Sequence, residues 1–322
     1  MDQATINIKS LCCCFHDLNL FPQSQPKSPL DYFQKFRTQI VTYASIVVAV
    51  LLVYHLVSDG DFSFLLTLSS LSRVAAFCIV LYGFFTEKTA QSLSLKTMQL
   101  HLAVHFLRLC SILFDQGYLP YDSTGDWLYQ SSEVVILLLV GTIVFMVMKD
   151  SRIKQTYELT ANLDVFGVDR KAKFPPMNVP FVPTELGALV ILVPCLVLAA
   201  VFHPSLNNFF LMDVAWTAAL YTDSLALLPQ LYLLHKRQAE VRAMNADYIF
   251  CLAVSCILSV IFWMASYAEL NDRQSSHVTA AYPGYLVVIS QLVCVGQLLR
   301  FMYLYVSKNG KVKTTTLLPL GH

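Results

Sequence analysis

The chain has 322 residues, of which 56% are hydrophobic and only 13% are charged, and its formal net charge is +1. Soluble domains carry about 25% charged residues, so this composition leaves too little polar surface to cover a water-soluble globule. The near-zero net charge also excludes a strong overall field of the kind that attracts nucleic acid. The composition therefore predicts a protein of the lipid bilayer.

Long apolar runs dominate the chain after a polar N-terminal tail at residues 1–39. The runs lie at residues 40–57, 64–85, 98–114, 127–148, 185–202, 209–234, 248–267 and 284–306. A helix needs about 20 apolar residues to cross the hydrocarbon layer, so each run is predicted to be a membrane-spanning helix. The first is named the extra span, which with its following loop makes up residues 40–63, and the others are spans one to seven. Residues 307–322 are predicted to form a C-terminal tail.

The distribution of Lys and Arg predicts the orientation, because cytosolic segments carry an excess of them. The basic segments are residues 1–39, 86–97, 149–184, 235–247 and 307–322. The segments that alternate with them contain no Lys or Arg except Arg273; they are residues 58–61, 115–126, 203–208 and 268–283. This pattern predicts eight spans with both termini in the cytosol. Cys12, Cys13 and Cys14 then lie in a cytosolic tail, where S-acylated and free thiols are equally compatible with the sequence.

Ionisable residues within spans are the first candidates for a functional site. A charge at the bilayer centre costs at least about 2.5 kcal/mol, so it normally faces a cavity or a partner. Arg108, Asp213 and Asp223 are interpreted as parts of a polar site. Glu133 and Arg300 lie nearer to span ends and are interpreted as structural ion pairs or as the ends of spans.

Span five combines several of these features. Asp213 and Asp223 are separated by about 15 Å along a helix axis, and Trp216 and Tyr221 lie between them. They predict a polar stripe with aromatic neighbours, for which ordinary packing is the alternative.

Pro229 and Gln230 interrupt the same span near its cytosolic end and are predicted to form a hinge, for which a tolerated helix-end proline is the alternative. His101 and His105 have the spacing of metal ligands, but no third ligand is evident in the sequence. The sequence also lacks a phosphate-binding loop and a nucleophile motif. We therefore predict no metal, no cofactor and no enzymatic activity.

Four segments resemble the KDEL receptors, which are the ER lumen protein-retaining receptors. Residues 216–231, WTAALYTDSLALLPQL, resemble the signature helix of that family. Residues 92–96, SLSLK, followed by Arg108, resemble its G-(I/L)-S-x-K segment and its span-two arginine. Residues 154–157 and 303–305, with the lysines that follow, resemble the loop after span three and the end of span seven. The similarity covers residues 64–313, and the N-terminal extension resembles a divergent, plant-type branch.

The resemblance implies a fold related to the PQ-loop and SWEET transporters. Spans one to three and five to seven would form two three-helix bundles joined by span four, within residues 64–306. It implies a receptor of ER and Golgi membranes that binds a C-terminal Lys/His-Asp-Glu-Leu signal at acidic pH. The receptor would retrieve lumenal proteins to the ER in vesicles whose coat proteins recognise its cytosolic tail.

The resemblance also implies a site. Asp213 and Asp223 match the two glutamates of the family, Arg108 matches its span-two arginine, and Arg73 matches its span-one histidine. The predicted residues of a lumen-facing ligand cavity are Arg73, Arg108, Asp213, Trp216, Tyr221 and Asp223. The predicted trafficking residues of the tail are Lys308, Lys311 and Lys313.

Several arginine positions of the family hold neutral residues here, among them Leu66, Cys256 and Ser266. Fewer arginines beside two aspartates would suit a neutral or cationic ligand. The alternative function is therefore a SWEET-like small-solute transporter, or an orphan membrane protein that has lost tetrapeptide binding. A third hypothesis is a trafficking adaptor that binds no ligand.

Overall fold

The computed structural model describes residues 63–90, 93–114, 126–161, 187–204, 209–236, 243–267 and 283–316. Within these ranges the regular secondary structure is entirely helical. Almost all of these residues belong to one compact unit, Leu65–His322. The extra span, the N-terminal tail with its three cysteines, and residues 317–322 lie outside the described residues.

The helices correspond closely to the predicted spans. They are α1 (Ser63–Glu87), α2 (Leu95–Phe114), α3 (Asp126–Lys149), α4 (Ser151–Ala161), α5 (Leu189–Val201), α6 (Phe210–Leu225), α7 (Leu228–Lys236), α8 (Ala243–Ser266) and α9 (Pro283–Thr316). Spans one to four are α1, α2, α3 and α5, span five is α6 with α7, and spans six and seven are α8 and α9. Helix α9 continues past the predicted end of span seven at residue 306.

Among the described residues, four helical segments are long and apolar enough to cross a membrane: Phe64–Glu87, Trp127–Lys149, Asp247–Ser266 and Gly284–Phe301. Leu138 and Phe145 on α3 and Leu299 on α9 are large apolar side chains that lie exposed on the outside of the bundle. Lipid solvates such surfaces, whereas water does not. The prediction of an all-helical, polytopic membrane protein is confirmed. The count of eight spans, the two-bundle arrangement and the segment boundaries stay predictions.

Among the described residues, the two largest sets of buried apolar side chains hold the helices around a polar centre. The larger set joins α1, α3 and α8 and includes Phe77, Val80, Ile136, Ile143 and Tyr248. The second set joins α5, α6 and α9 and includes Ile191, Cys195, Trp216, Leu220 and Val287. The charged residues that the sequence places inside spans are thereby held between packed helices.

Span five is broken two residues before Pro229. Helix α6 ends at Leu225 and α7 begins at Leu228. Pro229 therefore lies in the first turn of α7, where the missing N–H needs no partner. Gln230 is buried and joins α7 to α2, because its Oε1 accepts from the Ser94 N–H at 2.8 Å and its own N–H donates to Thr97 Oγ1 at 3.0 Å. Whether this break acts as a hinge stays a prediction.

Residues 149–184 are predicted to be a loop, but the structure shows helix α4 at Ser151–Ala161 within them. The prediction of a loop is wrong for these residues. The Asp150 side chain caps the helix by accepting from the N–H groups of Arg152 at 2.9 Å and Ile153 at 3.4 Å. The cap satisfies donors that would otherwise be unpaired at the first turn. Ile153 is buried, and Thr156 Oγ1 accepts from the Ala90 N–H at 3.0 Å. The helix is short and polar, so it lacks the long apolar run that marks the spans.

Candidate functional site

Arg73 of α1 and Asp223 of α6 form a bidentate ion pair in the middle of the bundle. Arg73 Nη1 donates to Asp223 Oδ1 at 2.9 Å, and Nη2 lies 2.8 Å from Oδ2. Arg73 Nε donates to Ser255 Oγ on α8 at 2.9 Å. Each nitrogen of the guanidinium thus has a protein partner, and the parallel N–H···O contacts match the planar geometry of both groups.

Arg108 of α2 bridges two carboxylates. Its Nη1 donates to Glu133 Oε1 at 3.2 Å and its Nη2 donates to Asp223 Oδ2 at 3.3 Å. Both distances exceed those of Arg73, and each carboxylate receives one Arg108 nitrogen rather than two. Arg108 is therefore tied to the network less tightly than Arg73.

Glu133 of α3 is fully buried and is stabilised from two neighbouring helices. Its Oε2 lies 2.6 Å from His105 Nδ1 on α2, and its Oε1 accepts from Ser70 Oγ on α1 at 3.5 Å as well as from Arg108. A buried carboxylate is costly unless it is paired and hydrogen-bonded. These contacts meet that requirement and hold α1, α2 and α3 together.

His101 and His105 extend the network along α2. His101 Nδ1 lies 3.9 Å from Asp223 Oδ1, and the two imidazoles are stacked with centroids 6.3 Å apart. The Phe77 ring packs edge-on against His101 at 5.2 Å. Across the described residues, no group of three His, Cys, Asp or Glu side chains is arranged to hold a metal ion. Their observed contacts are to carboxylates and an aromatic ring.

A cavity lies against the two arginines. Its lining residues come from α1, α2, α3, α6, α8 and α9, and they are Leu66, Ser69, Ser70, Arg73, Arg108, Tyr129, Trp216, Leu220, Asp223, Ser259, Trp263 and Gln291. The rings of Trp216 and Trp263 meet edge to face at 6.0 Å. Tyr129 lies near the start of α3 and Trp263 lies near the end of α8. The Lys and Arg distribution assigns the start of α3 and the end of α8 to the lumenal side. The cavity volume is about 30 Å³, room for one or two ordered water molecules.

The structure brings four of the six predicted ligand-binding residues together and leaves two elsewhere. Arg73, Arg108, Trp216 and Asp223 line the cavity. Asp213 is buried with its Oδ2 4.0 Å from His203 Nδ1, and Tyr221 donates to the Phe202 carbonyl at 3.0 Å. The physical reason is that residues 213 and 223 are separated by about 15 Å along the helix axis and point about 80° apart.

The remaining predicted residues lie away from this cavity. Arg300 is exposed, and its guanidinium lies 5.5 Å from the centre of the Tyr303 ring. Lys308, Lys311 and Lys313 belong to the last turns of α9, and their side chains lie outside the described part of the chain. Their role in trafficking stays a prediction.

The sequence identifies only one of the groups that support the arginines. Glu133 was assigned to a structural pair or a span end, and the structure shows the pair, with Arg108 as the partner. The spacing of His105 from His101 suggests only a metal ligand, and no feature of the sequence marks Ser255 as a partner of Arg73. The available signal was the charge balance, since two arginines within the bundle require carboxylates nearby.

Comparisons with known proteins identify relatives of the whole helical unit. The family model described as ER lumen protein retaining receptor matches residues 89–266, more than half of the chain. The chain is 28% identical over 244 residues to an ER lumen protein-retaining receptor of Drosophila melanogaster, covering 76% of this chain and 93% of the relative. It is 26% identical over 249 residues to receptor 2 of Xenopus tropicalis, covering 77% and 95%. It is 25% identical over 198 residues to receptor B of Arabidopsis thaliana, covering 61% and 76%.

Proposed function

Since the chain belongs to the ER lumen protein-retaining receptor family, we propose that it binds C-terminal retention signals of lumenal proteins and retrieves them from the Golgi to the ER. The proposed receptor resides in ER and Golgi membranes with both termini in the cytosol. Its cavity opens to the lumen, and Lys308, Lys311 and Lys313 present the recognition signal for vesicle coat proteins.

The observation that carries this proposal is the position of Arg108 in the wall of the cavity. A peptide ends in a carboxylate, and a partly desolvated guanidinium is the side chain best suited to bind it. Arg108 is 13% exposed, and its contacts at 3.2 and 3.3 Å are longer than the 2.8 Å contact between Arg73 and Asp223. Trp216 and Trp263 supply an apolar wall for the last side chain of the peptide.

The transporter alternative is not favoured by the family match. The charges of the cavity also argue against a cationic solute. Two guanidiniums and a single carboxylate, Asp223, contribute to the described wall. That carboxylate is already paired with both arginines.

The test is retention of a secreted reporter that ends in Lys-Asp-Glu-Leu, in cells depleted of their own retention receptors. Expression of this chain should lower reporter secretion, and Arg108→Ala should abolish the effect. Arg300→Ala, which removes an exposed arginine far from the cavity, should retain the reporter as the wild type does. Equal secretion with and without the chain, when the chain is present in ER and Golgi membranes, would refute the proposal. Solute uptake by vesicles containing the chain would then favour the transporter alternative.

A further inference from the structure

We infer that Arg73 is a specificity-determining residue, which occupies the carboxylate of Asp223 and thereby denies this carboxylate to a cationic ligand group. The inference rests on the proposed function, because it concerns the same cavity. The resulting ligand class is a carboxylate that carries no cationic group where it would meet Asp223.

The first step is that Arg73 occupies both oxygens of Asp223. Its two terminal nitrogens contact Oδ1 at 2.9 Å and Oδ2 at 2.8 Å, and Nε donates to Ser255 Oγ at 2.9 Å. Ser255 is itself fixed by Ser69, whose Oγ donates to the Ser255 carbonyl at 2.9 Å. The Arg73 guanidinium is therefore oriented from α1, α6 and α8 before any ligand arrives.

The second step is that Arg108 can exchange partners without leaving Asp223 unpaired. The Arg108 contact with Asp223 is the longer one, at 3.3 Å, and Arg73 holds the same carboxylate independently. Glu133 keeps its own contact with Arg108 at 3.2 Å and lies behind the cavity wall. An incoming carboxylate can thus take Nη2 of Arg108 while Arg73 continues to neutralise Asp223.

The third step is the charge that a ligand meets. The described wall contains Arg73, Arg108 and Asp223, which sum to one positive charge, and Glu133, paired with Arg108 at 3.2 Å, balances that charge outside the lining. His101, whose Nδ1 lies 3.9 Å from Asp223 Oδ1, is a further group that approaches this carboxylate. A ligand ammonium would have to displace a bidentate guanidinium and remain beside another, and opposing like charges at contact distance is unfavourable. A ligand carboxylate would displace only the single 3.3 Å contact between Arg108 and Asp223, and Asp223 would keep both of its contacts with Arg73.

The experiment uses purified full-length chain and peptides with a free C-terminus, in which Lys or Met occupies the second, third or fourth position from the end. For the wild type, Lys should not improve the dissociation constant over Met by more than about threefold at any position. Arg73→Met leaves Asp223 with only the 3.3 Å contact from Arg108, so Lys should become favoured at one position by roughly tenfold or more. Arg73→Lys keeps a cation beside Asp223 and should preserve the wild-type ratio.

The outcomes separate this inference from the proposed function. A wild type that prefers Lys by tenfold refutes the inference without needing any variant to fold. An Arg73→Met protein that binds peptide but gains no preference also refutes it. If the wild type binds none of the peptides, the proposed function fails. Arg73 is then tested with n-butylammonium, which should raise the melting temperature of Arg73→Met but not of the wild type, and an equal response of the two proteins refutes the inference.

Discussion

Replacing Glu133 by Gln tests how the buried network holds Arg108. The substitution keeps the size of the side chain but removes its charge. Glu133 is 0% exposed, and its carboxylate contacts Arg108 at 3.2 Å and His105 at 2.6 Å. Arg108 would retain only the 3.3 Å contact with Asp223 from this pair of carboxylates.

The expected loss follows from the cost of an incompletely paired buried charge. Removing one partner of a buried ion pair costs about 3–5 kcal/mol. Arg108 keeps its contact with Asp223 and is partly exposed. We therefore expect Glu133→Gln to lower the free energy of unfolding by about 3 kcal/mol, the lower end of this range. The double variant Arg108→Met, Glu133→Gln should lose less unfolding free energy than the two single variants lose together. The reason is that neither charge of the pair remains buried without its partner.

The assay is reversible unfolding in mixed micelles, followed by the fluorescence of Trp216, which is buried, and Trp263, which is half-buried. Glu87→Gln is the matched control, because it makes the same chemical change at an exposed position on α1. Exposed ion pairs contribute about 0–1 kcal/mol, so the control should remain near the wild type. A Glu133→Gln protein as stable as the Glu87→Gln control would refute the interpretation of this network as a stabilising support for Arg108.

Three further predictions concern topology, trafficking and the contact between α2 and α7. Glycosylation sites inserted in loops 58–61, 115–126, 203–208 and 268–283 should be modified, and a site in 149–184 should not; modification there would overturn the eight-span topology. Replacing Lys308, Lys311 and Lys313 by Ser should shift the steady-state location away from the ER in fluorescence microscopy, and an unchanged location would exclude these lysines as the signal. Gln230→Leu should lower the unfolding free energy by about 1–3 kcal/mol, because the buried Ser94 N–H loses its acceptor at 2.8 Å. Wild-type stability in the mixed-micelle assay would contradict that role.

Much of the fold follows from the sequence because bilayer spans are marked by length and apolarity. Spans one to four and six appear as helices close to their predicted bounds, and span seven is a helix that continues past its predicted end to Thr316. Helix α4 was not predictable in the same way, because its stability depends on the Asp150 cap and on the contact of Thr156 with Ala90. Neither the cap nor this contact produces a long apolar run, which is the feature by which spans are recognised in a sequence.

The candidate site was only partly predictable. Arg108 and Asp223 could be expected together, because two charges within one bundle require partners. The third member, Glu133, depends on the rotation of α3 toward α2, which the near-uniform apolarity of α3 does not reveal. Asp213 was expected in the site because it shares a helix with Asp223, but its side chain approaches His203 and does not line the cavity. Helix phase, rather than residue type, decides which charges share the cavity.

The most direct test of the account is the affinity of the purified wild type for a tetrapeptide with a free C-terminal carboxylate and for the same peptide amidated. At mildly acidic pH, amidation should weaken binding by about 10- to 150-fold, the equivalent of one lost charge-assisted hydrogen bond. Arg108→Ala should bind the free acid more weakly than the wild type does, by the same factor. Amidation of the peptide should not weaken its binding to Arg108→Ala any further. Equal binding of the acid and the amide by the wild type would contradict the assignment of this cavity as a receptor site for C-terminal signals.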